Sequence, residues 1–94
     1  MGSWPWREVA PGVREVDLHG MERTRARQVV ADALAACGRD GTRLLRVVHG
    51  KGTGVLREEV RFLLDGHPAV DDLRFARPRD GGDGVTEVRF RRGR

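Results

Sequence analysis

The chain has 94 residues, 38% of them hydrophobic, one cysteine, and a net charge of +4 with a pI near 10.9. That length admits one small domain. The lone Cys37 excludes an internal disulfide and fits a reducing cytoplasm. No apolar run is long enough to span a membrane, and no stretch resembles a signal peptide. The basic balance rests on seventeen arginines and a single lysine. Guanidinium makes paired bonds to phosphate, so a polyanion such as nucleic acid is the expected partner, although a GC-rich genome would produce the same bias.

Residues 1–12 show no periodicity and carry Trp4, Trp6 and Pro11. They read as an N-terminal extension or linker whose indoles clasp the edge of the domain or dock it to more protein. The folded domain is expected over 13–94. Val13 to His19 alternates, with Val16 and Leu18 on one side and Glu15, Asp17 and His19 on the other, which predicts a half-buried strand ending at Gly20. Met21 to Gly38 places Ala26, Val29, Val30, Ala33, Leu34 and Cys37 on one helical stripe, with Gly38 and Gly41 as stop signals. Cys37 is thereby a core residue.

Arg43 to Val48 is apolar enough for a central strand. Leu56, Val60, Leu63 and Leu64 then mark a second helix, which ends near Gly66-His67-Pro68. His67 at that helix end is expected to cap rather than to catalyse. Val70 to Ala76 and Val85 to Arg91 alternate as strands, joined by a loose hairpin loop over 77–84; the tail beyond Arg91 is expected to fray. The order is β-α-β-α-β-β. It predicts an α/β two-layer sandwich in which a four-stranded mixed sheet carries two helices on one face. The opposite face is left charged, with Glu15, Asp17, Asp72, Arg74, Glu87, Arg89 and Arg91 on it.

Chemistry concentrates where parallel strands end, because ligands of open α/β sheets sit beyond those carboxyl ends. His19-Gly20 ends one strand, and His49-Gly50-Lys51-Gly52-Thr53-Gly54 joins the next strand to a helix. The glycines let the backbone approach an anion, the helix start offers unpaired N–H groups, and Lys51 adds a charge. The spacing is not that of a nucleotide P-loop, so no bound nucleotide is expected. A turn using glycine for geometry alone would look the same.

Asp17, His19 and His49 are the candidate catalytic residues: an imidazole near neutral pKa, a carboxylate to orient it, and a second imidazole. Each has a structural alternative. His19 could cap its strand, Asp17 could pair with Arg89 or Arg91, and His49 could hold the glycine turn through a backbone bond. Gly50, Lys51, Gly52, Thr53, Gly54 and Arg57, with Arg74, Arg89 and Arg91, are the candidate phosphate contacts. No set of residues has the spacing of a structural zinc site. Asp17 is a candidate ligand for a divalent cation, Mg or Mn, as is one of Glu58 and Glu59.

Val16-Asp17-Leu18-His19-Gly20, His49-Gly50-Lys51-Gly52-Thr53-Gly54 with Leu56-Arg57, His67-Pro68 and Gly81-Gly82-Asp83-Gly84-Val85-Thr86 closely resemble the Smr (small MutS-related) domain, over about Val13 to Arg91. The last segment looks most like the Smr domain ending the MutS-two type of bacterial MutS-like protein. The resemblance implies a fold like the C-terminal domain of translation initiation factor three. It implies nicking of branched or duplex DNA, or cleavage of RNA on stalled ribosomes, in recombination suppression, DNA repair or ribosome rescue. It associates Asp17 and His19 with cleavage, and His49 to Gly52 with nucleic-acid binding. Many MutS-two members carry arginine at the position of His19, so the histidine favours cleavage competence. The resemblance also implies an ATPase and clamp elsewhere in a longer parent chain, with a stand-alone Smr protein as the alternative. The rival function is a non-catalytic module that docks on DNA, RNA or the ribosome.

Overall fold

The computed structural model describes residues 6–91, with side chains from Arg7 onward. The expected roles of Trp4, of the Trp6 indole and of the tail over 92–94 therefore fall outside the described residues. Along the chain come β1 (Trp6–Ala10), β2 (Val13–Asp17), α1 (Arg23–Asp40), β3 (Leu44–Val48), α2 (Val55–Leu64), β4 (Val70–Phe75) and β5 (Val85–Phe90), with two short 3-10 turns over Pro78–Asp80 and Gly82–Gly84. The strands form one sheet in the order β1-β2-β3-β5-β4. Only β2 and β3 pair in parallel; every other neighbour is antiparallel.

The sheet thus has five strands where four were expected. The extra one is β1, taken from the stretch read as an extension. Pro11 and Gly12 close a two-residue hairpin between Ala10 and Val13, with Gly12 at φ +73°. Residues 7–10 are exposed on an edge strand, and the adjacent polar pair Arg7-Glu8 hides any alternation. The Pro-Gly step was the available signal.

Both helices cover one face. Ala26, Val29, Val30, Ala33 and Cys37 from α1, and Val60 and Leu64 from α2, pack on Val16, Leu18, Leu45, Val47, Val88 and Phe90. Fully burying each such Leu or Val contributes about 1.5–3 kcal/mol. The helix α1 starts at Glu22, whose carboxylate accepts from the Arg25 N–H at 3.2 Å. It runs through Gly38, the expected stop, and ends at Gly41 in the left-handed conformation. One helical glycine costs about 1 kcal/mol, which the buried stripe on either side outweighs. A 2.8 Å bond between Arg27 and Glu59 ties α1 to α2, so Glu59 is engaged between the helices. His67 accepts from the Ala69 N–H through Nδ1 at 3.0 Å, just past the end of α2. No helix among the described residues is long and apolar enough to cross a membrane.

The open face carries a single row of alternating charge. Arg7, Glu15, Arg46, Glu87 and Arg74 stand in register across all five strands. Successive contacts are 3.5, 3.0, 3.6 and 3.4 Å. Opposite charges directly across a sheet stabilise the pairing. Here they also satisfy the carboxylates of Glu15 and Glu87, whose side chains are only 20% and 16% exposed.

Candidate functional site

Parallel pairing of β2 with β3 sets the site. Asp17 stands opposite Val48, and the Leu18 N–H donates to the Val48 carbonyl at 2.7 Å, so the pairing continues to the strand ends. Beyond it the chain turns twice in the same way, at Gly20 (φ +80°) and at Gly50 (φ +79°). A methyl group placed on Gly50 would lie 3.6 Å from the β-carbon of His19, so the two turns touch. Between them and the start of α2 opens a cleft of about 330 Å³, lined by His19, Arg23, His49, Thr53, Arg57 and the intervening glycines. His19 and His49, thirty positions apart in the chain, thus line one cleft.

His19 and Asp17 form a pair at this rim. The imidazole Nδ1 lies 2.7 Å from Asp17 Oδ1, and the His19 backbone N–H donates to the same oxygen at 3.1 Å. A carboxylate only accepts, so the ring carries its proton on Nδ1 and leaves Nε2 bare. The ring is 72% exposed. The hydrogen bond to Asp17, reinforced by that carboxylate's charge, raises the His19 pKa above its ordinary 6.5.

His49 is placed differently from the catalytic role expected of it. It is only 5% exposed. Nδ1 donates to the Gly50 carbonyl at 3.0 Å, and Nε2 accepts from the Thr86 hydroxyl at 2.8 Å. Both ring nitrogens are spent on the scaffold. Burial, aided by the Arg57 charge, lowers its pKa below 6.5. A neutral imidazole braced between two strands holds the glycine turn; the group that faces the cleft mouth with a bare nitrogen is His19.

The turn is also held from below. The Gly84 carbonyl accepts from the N–H groups of both His49 (3.0 Å) and Gly50 (2.9 Å). Gly54 starts α2 at φ +86° with no side-chain cap, and Val55 N–H has only a long bond of 3.4 Å to Thr53 Oγ1. Residues 52–57 line the cleft, so an uncapped helix start faces it. The Arg57 guanidinium lies so close over Gly54 that a β-carbon there would sit 2.8 Å from Nη2.

Lys51 does not line the cleft. Its stem crosses Gly84, where a β-carbon would come within 3.1 Å of Lys51 Cγ, and its Nζ reaches Asp83 Oδ1 at 3.8 Å. Arg57 reaches the other oxygen of Asp83 at 3.5 Å. The β4–β5 connection, expected to be a loose loop, is therefore tied to the glycine turn and to Arg57 from behind the cleft. Arg23, which lines the cleft, and Asp83, Gly84 and Thr86, which support the glycine turn and its cations, were not among the expected site residues. The close glycine spacing of 81–84 was the signal: a β-carbon at Gly84 would crowd the Lys51 stem.

Three expected phosphate contacts lie elsewhere. Arg74 ends the charged row on the open face, paired with Glu87. Arg89 stands opposite Leu44, at the far end of β3, and Arg91 donates to the Pro68 carbonyl at 2.9 Å near that same end. The donor set does not fit a cation held by the protein alone. Asp17 Oδ1 already serves His19, no Asp or Glu lines the cleft, and the described residues contain no group of three or more His, Cys, Asp or Glu able to hold a metal.

This geometry can be set beside known proteins. A family model described as the Smr domain matches residues 16–91. Endonuclease MutS2 of Gemmatimonas aurantiaca is 43% identical over 79 residues, covering 84% of this chain and 10% of that protein. Endonuclease MutS2 of Thermus thermophilus is 42% identical over 79 residues, covering 84% and 11%. The chain thus spans only 10–11% of the length of these curated relatives. The crystal structure of the Smr domain of Thermus thermophilus MutS2 superposes with a TM-score of 0.80 at 41% identity, over 83% of this chain and 98% of that one. YdaL, a stand-alone small MutS-related protein from Escherichia coli, superposes with a TM-score of 0.78 at 25% identity, over 83% and 64%.

Proposed function

The chain belongs to the Smr domain family, and on that premise we propose that it is a nucleic-acid endonuclease domain, the cutting part of a longer MutS-like ATPase. The observation that carries this reading is the 2.7 Å pair of Asp17 with an exposed His19, level with Gly50 at the mouth of a cleft that ends in an uncapped helix start.

Neutral His19 holds its proton on Nδ1 against Asp17 and offers Nε2 as a general base. It takes the proton from an attacking water, or from a ribose hydroxyl where the strand is RNA, as that oxygen bonds to phosphorus; the P–O bond to the leaving sugar oxygen breaks, and that oxygen takes up a proton from solvent. Asp17 fixes the tautomer and stabilises the imidazolium that forms. The N–H groups at the start of α2, with Arg23 and Arg57 beside them, hold the scissile phosphate and the charge that builds on it. His49 touches no reacting atom in this scheme; it keeps the glycine turn in shape. Every one of these groups belongs to the protein, so cleavage is expected to continue in EDTA.

The test is cleavage of nicked, branched and duplex DNA and of single-stranded RNA by the domain, with and without EDTA, beside Asp17→Ala and His19→Ala. Loss of cutting in both variants, with binding kept, supports the reading. Both variants cutting like the parent would place the chemistry elsewhere. Binding without any cleavage by the parent would leave a docking module whose parent chain cuts with other residues.

A further inference from the structure

Asp83 occupies an unusual place for a site that receives phosphate. It is a carboxylate, half exposed, set between two cations of the cleft region: Lys51 Nζ at 3.8 Å from Oδ1 and Arg57 Nη1 at 3.5 Å from Oδ2. The surrounding backbone fixes this arrangement. Gly84 seats the Lys51 stem, Gly54 leaves room for the Arg57 guanidinium, and the Gly84 carbonyl locks the 81–84 turn to His49 and Gly50. The two cations thus each approach a different oxygen of one carboxylate. Lys51 is drawn toward that turn and away from the cleft lining.

We propose that Asp83 is a built-in counter-anion: its carboxylate holds the charge of Lys51 and Arg57 until a nucleic-acid phosphate displaces it. The idea rests on the cleft being a phosphate site. Both contacts are long and face water, so each is weak and easily exchanged. Binding is then the exchange of one anion for another. The protein gains less from each phosphate than two free cations would give, and its affinity depends less steeply on salt. The effect restrains the strength of a basic domain on any polyanion, and leaves the uncapped helix start and His19 to decide which phosphate is held for cutting.

The measurement is affinity of the domain for a fluorescent duplex and a fluorescent single strand across a salt series, for the parent, Asp83→Asn and Asp83→Glu. Asp83→Asn keeps the shape and removes the charge. It is expected to tighten binding by about two- to tenfold at low salt, and to steepen the slope of log Kd against log salt by about one to two. Asp83→Glu keeps the charge and is expected to behave like the parent. Affinity unchanged or weakened in Asp83→Asn, with an unaltered melting curve, overturns the proposal. A Lys51→Gln, Arg57→Gln double variant separates the two levels. If it binds less and Asp83→Asn gains nothing, only the counter-anion idea falls. If it binds like the parent, the cleft is not the phosphate site and both fall.

Discussion

Two neighbouring strand ends in this protein begin from the same local chemistry and come to opposite conditions. Each ends in His-Gly, each glycine has φ near +80°, and each turn leads toward a helix. Yet His19 is exposed, paired with a carboxylate and raised in pKa, whereas His49 is buried, bonded at both nitrogens and lowered. The difference is one of register. Val16 stands opposite Val47, so Leu18 is level with His49, and His19 is level with Gly50. The strand period of two then sends His49 to the helix-covered face, with Leu45 and Val47, and His19 to the other side. A single residue of offset leaves one imidazole open at the cleft mouth and makes the other a brace.

The largest expected effect falls on the exposed imidazole. His19→Ala is expected to slow cleavage by about 10²- to 10⁴-fold while nucleic-acid affinity stays close to that of the parent; a cleavage time course beside a binding titration measures both. Removal of the brace should act on the fold. His49→Ala leaves the Thr86 hydroxyl and the Gly50 carbonyl without their partner and is expected to cost about 1–3 kcal/mol of stability in urea melts. At a pH above the folded value of His19, His19→Ala should leave those melts unchanged, and equal melting losses in the two variants would erase the contrast.

Smaller effects sharpen it. Cleavage that needs neutral His19 falls as pH drops through its raised pKa. Asp17→Asn removes the cause of the raising, so the acid limb of the pH–rate profile should move to lower pH even as the maximum rate declines. Smallest is the pH dependence of stability itself. His49 is lowered in the fold, so its contribution is full above the unfolded value near 6.5 and is lost as pH falls below it, toward the folded value. His19 is raised, so its contribution is full below about 6.5 and is lost as pH rises through its folded value. Denaturation across a pH series should therefore change slope in opposite senses in the His19→Ala and His49→Ala variants.

Much of this was legible in the residues. Helical spacing located α2, which ends at Leu64, slightly before the expected Gly66-His67-Pro68, and most of α1, and alternation located β2, β4 and β5. The convergence of His19 with the 49–54 turn followed from two parallel strand ends. What stayed hidden depended on partners across the sheet. Leu44 and Val48 are apolar on the open side of β3, so the alternation that places His49 inward was masked. Arg74 looked like a free phosphate contact because nothing along the chain shows that Glu87 stands opposite it. Asp83 lay in what read as a loose loop, and the ties of that loop to Lys51, Arg57 and the Gly84-held turn are contacts between distant parts of the chain.

The most direct measurement is an NMR titration of the imidazole rings through pH 6.5, following Nδ1 and Nε2 of His19 and His49. His19 is expected to titrate above 6.5 and to drop when Asp17 is changed to Asn, while His49 titrates below 6.5 and carries its proton on Nδ1 when neutral. An exposed-type titration of His49, or a His19 indifferent to Asp17, would contradict it.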